Sequence, residues 1–371
     1  MNWLGIASAA ALVVAAEAIY LAWYLRWEDR ETRGMAYYGR PLAARRALKR
    51  RIRAYARPAM PLVRLLALTA RGRSTMPAFE YQGVCGPPKI SSAARFERAS
   101  RYQPRPEDVF VVTQMRCGTT WMQQLVYETV CRGRGDLSDS GHGHLYAMSP
   151  WIEAVNSVSM DEAPVVGERP ARIIKTHLPA SLCPYAAEAK YVYVARHPVS
   201  CFASIVDYNR SLLGPLTPRV GALADWFCSD RMYWLPWPRH VAGWWDLSAR
   251  HDNVLFVHFE EMKKDFAAVQ VRLERFLGVT LTPEERARVA GRCSFRYMQD
   301  HEDVFEMAPP TMFSVIEGKF LASGRGPEQA DVTPEIRREI LDYCRTALAG
   351  TSYPATRFYA DLAPLTPAAR P

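Results

Sequence analysis

The stretch Val111-Val112-Thr113-Gln114-Met115-Arg116-Cys117-Gly118-Thr119-Thr120-Trp121 decides the fold. With Val109 and Phe110 before it, its first part is a continuous apolar, β-branched run, the kind that sits in a parallel sheet covered on both faces. Its last part opens an amphipathic helix, Thr119 to about Arg132. Between the two lies a short turn with one cation, Arg116, one glycine, Gly118, and then two hydroxyls, Thr119 and Thr120. Backbone N–H groups, a helix N-terminus and hydroxyls converging in this way hold an anion. A phosphate loop of the NTPase type needs G-x-x-x-x-G-K-[ST], and this turn has neither that spacing nor that lysine, which disfavours ATP or GTP.

Outward from this turn, the theme of apolar run, turn and helix recurs in Tyr191 to Ala195 before Val199 to Arg210, and in Val254 to Phe259 before Phe266 to Leu277. Arg172 to Thr176 supplies another strand without an obvious helix after it. Thr282-Pro283-Glu284-Glu285 is a capping box for a helix to about Arg292. Thr333-Pro334 starts a last helix to about Leu348. The expectation is one three-layer α/β domain, 105–371, with a central parallel sheet flanked by helices. Residues 58–104, rich in Pro, Gly and Ser, read as a linker with short elements.

The amino-terminal part has a different character. Trp3 to Leu25 carries a single charge, Glu17, and exceeds the ~20 residues that a helix needs to cross the hydrocarbon core. Trp3 at one end and Tyr20, Trp23, Tyr24 and Trp27 at the other resemble interfacial aromatic belts. We therefore expect a transmembrane anchor over 1–27, with a helix lying in the interface as the alternative. Residues 26–57 hold 11 Lys/Arg against 3 Asp/Glu, a net of +8 out of the chain's +9, so the basicity is local. That favours a membrane surface over nucleic acid as partner, with 28–57 as a basic juxtamembrane helix on anionic lipid. The positive charge follows the apolar run, which puts the remaining chain on the cytoplasmic side of a single-pass protein. Eight scattered cysteines without C-x-x-C or zinc-type spacing read as free thiols, with no metal site.

Three further segments make the pattern specific. Arg116-Cys117-Gly118-Thr119-Thr120-Trp121, then Lys175-Thr176-His177-Leu178-Pro179, then Arg196-His197-Pro198 with Ser204, resemble the signature of the PAPS-dependent sulfotransferases related to the cytosolic enzymes. Here PAPS is 3′-phosphoadenosine 5′-phosphosulfate. Trp237-Pro238-Arg239-His240-Val241-Ala242-Gly243-Trp244-Trp245-Asp246, Val257 to Lys263, and Cys293-Ser294-Phe295 with Met298 extend the resemblance, in order, to about residue 300.

The resemblance implies a P-loop-kinase-like sulfotransferase fold and PAPS as co-substrate, without a metal. It implies His177 as general base, a role that its pKa near 6.5 suits. Lys175 and Arg116 stabilise the leaving oxygen, and Arg116 to Trp121 hold the nucleotide. Arg196 and Ser204 bind its 3′-phosphate, and Trp121, Phe259, Phe295 and Met298 sandwich the adenine beside Ser294. Arg116 replaces the family's first-turn lysine. The family's C-terminal R-K-G and G-x-W reads here as Glu317-Gly318-Lys319 and Gly324-Arg325-Gly326, with Arg325 or Lys319 as replacement phosphate contacts. Met148, Trp151, Trp226, Tyr233, Trp234 and Trp237 are candidates for lining an apolar pocket for a small-molecule or lipid acceptor. The competing readings are a nucleotide-dependent phosphotransferase and a nucleotide-binding membrane scaffold without catalysis.

Overall fold

The structure, a computed structural model, describes residues 3–70, 76–137, 143–313 and 331–363. Helices α1 (Trp3–Thr32), α2 (Met35–Tyr38), α3 (Leu42–Ala56) and α4 (Met60–Ala70) come first, then a hairpin of β1 (Phe79–Tyr81) and β2 (Val84–Gly86) and helix α5 (Ala93–Ser100). The next units are β3 (Asp108–Thr113), α6 (Thr119–Val130), α7 (Leu145–Met148), β4 (Arg172–Thr176), β5 (Lys190–Ala195) and α8 (Pro198–Leu213). They are followed by α9 (Val220–Phe227), α10 (Trp237–Arg250), β6 (Val254–His258), α11 (Phe259–Lys264) and α12 (Phe266–Leu277). Helices α13 (Pro283–Arg292), α14 (Phe295–Asp300), α15 (Pro334–Leu348) and α16 (Ala355–Phe358) complete the order.

Strands β4, β3, β5 and β6 lie side by side in that order, all parallel. The two-residue period of a strand sorts their side chains. Val109, Val111, Ile173, Val192 and Val194 face a core completed by α6, α12 and α13, whereas Phe110, Val112, Ile174, Tyr191 and Tyr193 face one completed by α8, α9, α10 and α15. Burying each such side chain contributes about 1.5–3 kcal/mol, which explains the unbroken apolar strands. The chain leaves β3 for β4 on one side and later returns to β5 on the other. A reversal of this kind opens a crevice at the carboxyl ends of the strands.

All four expected strands form, and the Thr282 capping box is in place. The amino-terminal part differs from expectation. Helix α1 continues to Thr32, and from Tyr20 onward it packs on the domain in a cluster of Tyr24, Trp27, Tyr37, Tyr38, Leu48, Ile52, Val63 and Tyr146. Arg45 and Lys49, expected on lipid, turn inward, and Arg46, though exposed, reaches toward the domain. Arg45 donates to the Asp303 carbonyl at 2.7 Å and to the Gly143 carbonyl, Arg46 pairs with Asp303, and Lys49 lies 2.7 Å from Asp303 and 2.5 Å from Glu306. Acidic groups some 250 positions away in the chain decide that orientation, so no local pattern betrays it.

Residues 58–104 are more than a spacer. Phe96 and Val84 are buried in the main core, and the Trp234 N–H donates to the Cys85 carbonyl at 2.7 Å. All eight cysteines are free thiols.

Candidate active site

Thr113 ends β3, and the turn after it is held from outside: the Gln114 amide donates to the carbonyls of Tyr233 and Leu235 at 2.8 and 2.7 Å. Arg116 and Gly118 both have left-handed backbone, with φ of 65° and 99°. A Cβ on Gly118 would lie 2.7 Å from the Phe259 ring, so this position needs glycine for space as well as conformation. Thr119 Oγ1 is 2.6 Å from Thr113 Oγ1, while the Thr120 hydroxyl is buried beside Tyr146. The Cys117 side chain points into the core, 3.7 Å from Cys201 Sγ, so only its backbone belongs to the turn.

At the end of β4, Lys175 Nζ donates to Tyr146 OH at 2.7 Å and sits 3.5 Å from the Trp151 ring centre. Burial pushes its pKa down to about 7. His177 is clamped by its backbone: its N–H donates to Glu153 Oε1 at 2.8 Å, and its carbonyl accepts from His240 Nε2 at 3.0 Å. Its Nδ1 is 2.8 Å from the Thr113 carbonyl. A carbonyl only accepts, so Nδ1 carries the proton and Nε2 keeps its lone pair. The ring lies between Trp151 and Trp234, with centroids 5.2 and 4.9 Å away, and burial holds its pKa well below the usual histidine range.

At the end of β5, Arg196 Nη1 donates to the Arg116 carbonyl at 2.9 Å, its guanidinium lies 4.6 Å over the Phe259 ring, and its buried Nε has no partner among the described residues. Ser204, midway along α8, accepts from Arg116 Nε at 3.1 Å, and the Arg116 guanidinium covers the Tyr208 ring at 4.8 Å. Burial lowers the Arg116 pKa to about 10. Trp121 meets Phe259 edge-on at 5.6 Å and donates to the Cys293 carbonyl, which brings the segment from Ser294 to Met298 alongside. Ser294 caps α14, Phe295 is half exposed, and Met298 faces the core. Lys319 and Arg325 lie outside the described residues.

One helix organises two of these segments. Trp237, His240 and Trp244 share a face of α10, and their ring N–H groups donate to the carbonyls of Arg196, His177 and Leu178 at 3.0, 3.0 and 3.2 Å. Their i, i+3, i+7 spacing is the sequence signal for this role. Tyr146, Glu153 and Tyr208 had no such signal, since a short helix, a loop and a helix flank supply them. Of the expected acceptor aromatics, Trp151 and Trp234 stand beside His177, whereas Met148, Trp226, Tyr233 and Trp237 pack the core. Among the described residues no cluster of three His, Cys, Asp or Glu is placed to hold a metal ion.

Cations and buried donors gathered at the N-terminus of a helix, beside a neutral histidine at the carboxyl end of a parallel sheet, have the chemistry that group transfer from a polyanionic donor requires. Residues 106–352 match the family described as Sulfotransferase domain. The chain is 29% identical over 224 residues to a 3-alpha-hydroxysteroid sulfotransferase of Cavia porcellus, covering 59% of this chain and 74% of that protein. Its fold is similar to that of mouse sulfotransferase SULT7A1 complexed with PAP, with a TM-score of 0.55 and 22% identity over 74% of this chain and 95% of that one. It is similar also to retinol dehydratase in a complex with retinol and PAP, with a TM-score of 0.55 and 20% identity over 78% and 95%. The chain belongs to the sulfotransferase family and is a PAPS-dependent enzyme of that family.

Proposed function

We propose that this enzyme transfers the sulfonate of PAPS to the hydroxyl or amine of a hydrophobic acceptor, an alcohol, sterol or glycolipid, at the cytoplasmic face of a membrane. The observation that carries the reading is the convergence of Arg116, Lys175 and Arg196 with the buried Thr120 hydroxyl around the N-terminus of α6, Arg196 Nε having no partner among the described residues. A multiply charged donor satisfies all of them at once.

PAPS supplies sulfur on an anionic leaving group, so catalysis is chiefly positioning and charge stabilisation. Lys175 and Arg116 take up charge on the leaving phosphate oxygen. The backbone from Cys117 to Thr120 and the two threonine hydroxyls wrap the 5′-phosphate, and Arg196 and Ser204 hold the 3′-phosphate, which a guanidinium fork suits. Trp121, Phe259, Phe295 and Met298 flank the adenine beside Ser294. His177 Nε2 accepts the acceptor's proton, with Nδ1–H fixed on Thr113. Trp151 and Trp234 give that end of the site an apolar wall.

A steroid sulfotransferase and a retinol-bound protein among the similar chains support a hydrophobic alcohol as acceptor, and α1, long and apolar enough to cross a bilayer, supports the membrane location. Calorimetry without added metal is the direct test: adenosine 3′,5′-bisphosphate should bind well and ADP poorly. Equal binding would remove Arg196 and Ser204 from the 3′-phosphate site. Screening labelled donor against lipid extracts and soluble phenols tests the acceptor, and a preference for phenols would sink the lipid assignment.

A further inference from the structure

We propose that α4 is a second membrane-contacting element, whose outer face enters the lipid interface beside α1. The proposal rests on α1 being the membrane anchor. Helix α4 buries Leu62, Val63 and Ala67 against the protein, yet its outer face is apolar too: Leu65, Leu66 and Leu68 are 57%, 46% and 82% exposed. A helix face in water carries polar groups, and single exposed leucines are unremarkable, but this ridge is contiguous and has an apolar neighbour. Ile6, Leu12, Val13, Val14 and Ile19 of α1 are exposed, and α4 packs along α1.

Depth follows from length. The ~20 residues that span the hydrocarbon core, counted from Trp3, reach Ala22. That is past Tyr20, whose hydroxyl donates to the Tyr55 carbonyl at the junction of α3 and α4. An α1 that spans therefore draws the start of α4 down to the headgroups.

The rim has matching chemistry. Tyr55 packs on Trp23 and Trp27 at 6.2 and 4.9 Å, with the Arg51 guanidinium 5.4 Å over Trp27. Between Leu42 and Ala70 there are eight Lys/Arg and no Asp/Glu. The domain takes Arg45, Arg46 and Lys49, while Arg50 and Arg51 of α3, Arg57 before α4 and Arg64 within α4 are exposed. An exposed leucine ridge on a helix that follows a cluster of aromatics and cations fits an anionic lipid interface, and the same charges repel a second copy.

The test uses the full chain with its two partly exposed thiols, Cys131 and Cys228, changed to Ser. A polarity-sensitive NBD label is then placed by Leu68→Cys, by Val13→Cys in α1, or by Arg250→Cys on the far side as a control. In phosphatidylcholine vesicles containing phosphatidylserine, labels at 68 and 13 should shift to the blue and be quenched by brominated acyl chains, while a label at 250 is quenched by aqueous iodide. Combining Arg57→Glu with Arg64→Glu should weaken the lipid quenching at 68. Iodide access at 68 with protection at 13 overturns the role of α4 alone, and access at both overturns the anchor as well. Protection at 68 without lipid quenching, together with cross-linking between copies, overturns it in favour of a protein interface.

Discussion

Lys175 has its ammonium 3.5 Å from the Trp151 ring centre and 2.7 Å from the Tyr146 hydroxyl, and burial brings its pKa to about 7. The empty site therefore loses this charge as pH rises through 7, whereas a bound polyanion favours the charged form. Binding then takes up a proton above pH 7, and nucleotide affinity should fall with rising pH, by up to about tenfold per unit. Calorimetry with adenosine 3′,5′-bisphosphate between about pH 7 and 9 measures it. Lys175→Arg, charged throughout, should flatten the curve, and a flat wild-type curve would contradict the assignment. His177 has the complementary behaviour. Its depressed pKa keeps it neutral at ordinary pH, so the acid limb of kcat/KM should lie below pH 6.5. His177→Ala should cost about 10²- to 10⁴-fold in kcat and leave bisphosphate binding intact.

At the scale of elements, α10 and α3 do comparable jobs from opposite sides. Replacing His240 by Phe removes the N–H on the His177 carbonyl and strands the Tyr193 hydroxyl, which now donates to His240 Nδ1. The variant should lose about 1–3 kcal/mol in denaturant unfolding and lose more in kcat than in nucleotide affinity. Arg45→Met leaves the carbonyls of Asp303 and Gly143 without their donor, a cost of similar size, and should open the α3–α4 region to limited proteolysis. These elements also mark how far the sequence could be read. Strands β3 to β6 were legible because burial on both faces leaves continuous apolar runs, and α13 because its capping box is local. The turn from Arg116 to Trp121, Lys175, His177 and Arg196 were legible as short motifs. Tyr146, Glu153 and Tyr208 were not, since what places them is packing between segments far apart in the chain. The inward turn of Arg45 and Lys49 escaped notice for the same reason.

On the scale of the whole molecule, the amino-terminal segment and the catalytic domain share one core. Tyr38 meets Tyr146 edge-on at 5.2 Å, and Tyr146 in turn holds Lys175, so two contacts separate α2 from the chemistry. Asp303 is held down to about pKa 2 chiefly against the cost of its burial by Lys49 and Arg46. Its depressed value means that it stabilises this docking above the ordinary carboxylate pKa and stops doing so as pH falls toward 2. Near-neutral samples should therefore show α3 protected from hydrogen exchange, with protection lost in acid. On the proposal that α1 is the anchor, the shared core also sets where the enzyme can be severed from it. A site-specific protease cutting just before Tyr20 should leave an active body that only α4 and its cations hold to anionic lipid and that salt releases, whereas a cut after Tyr38 would also take Tyr38 from its contact with Tyr146 and lower activity.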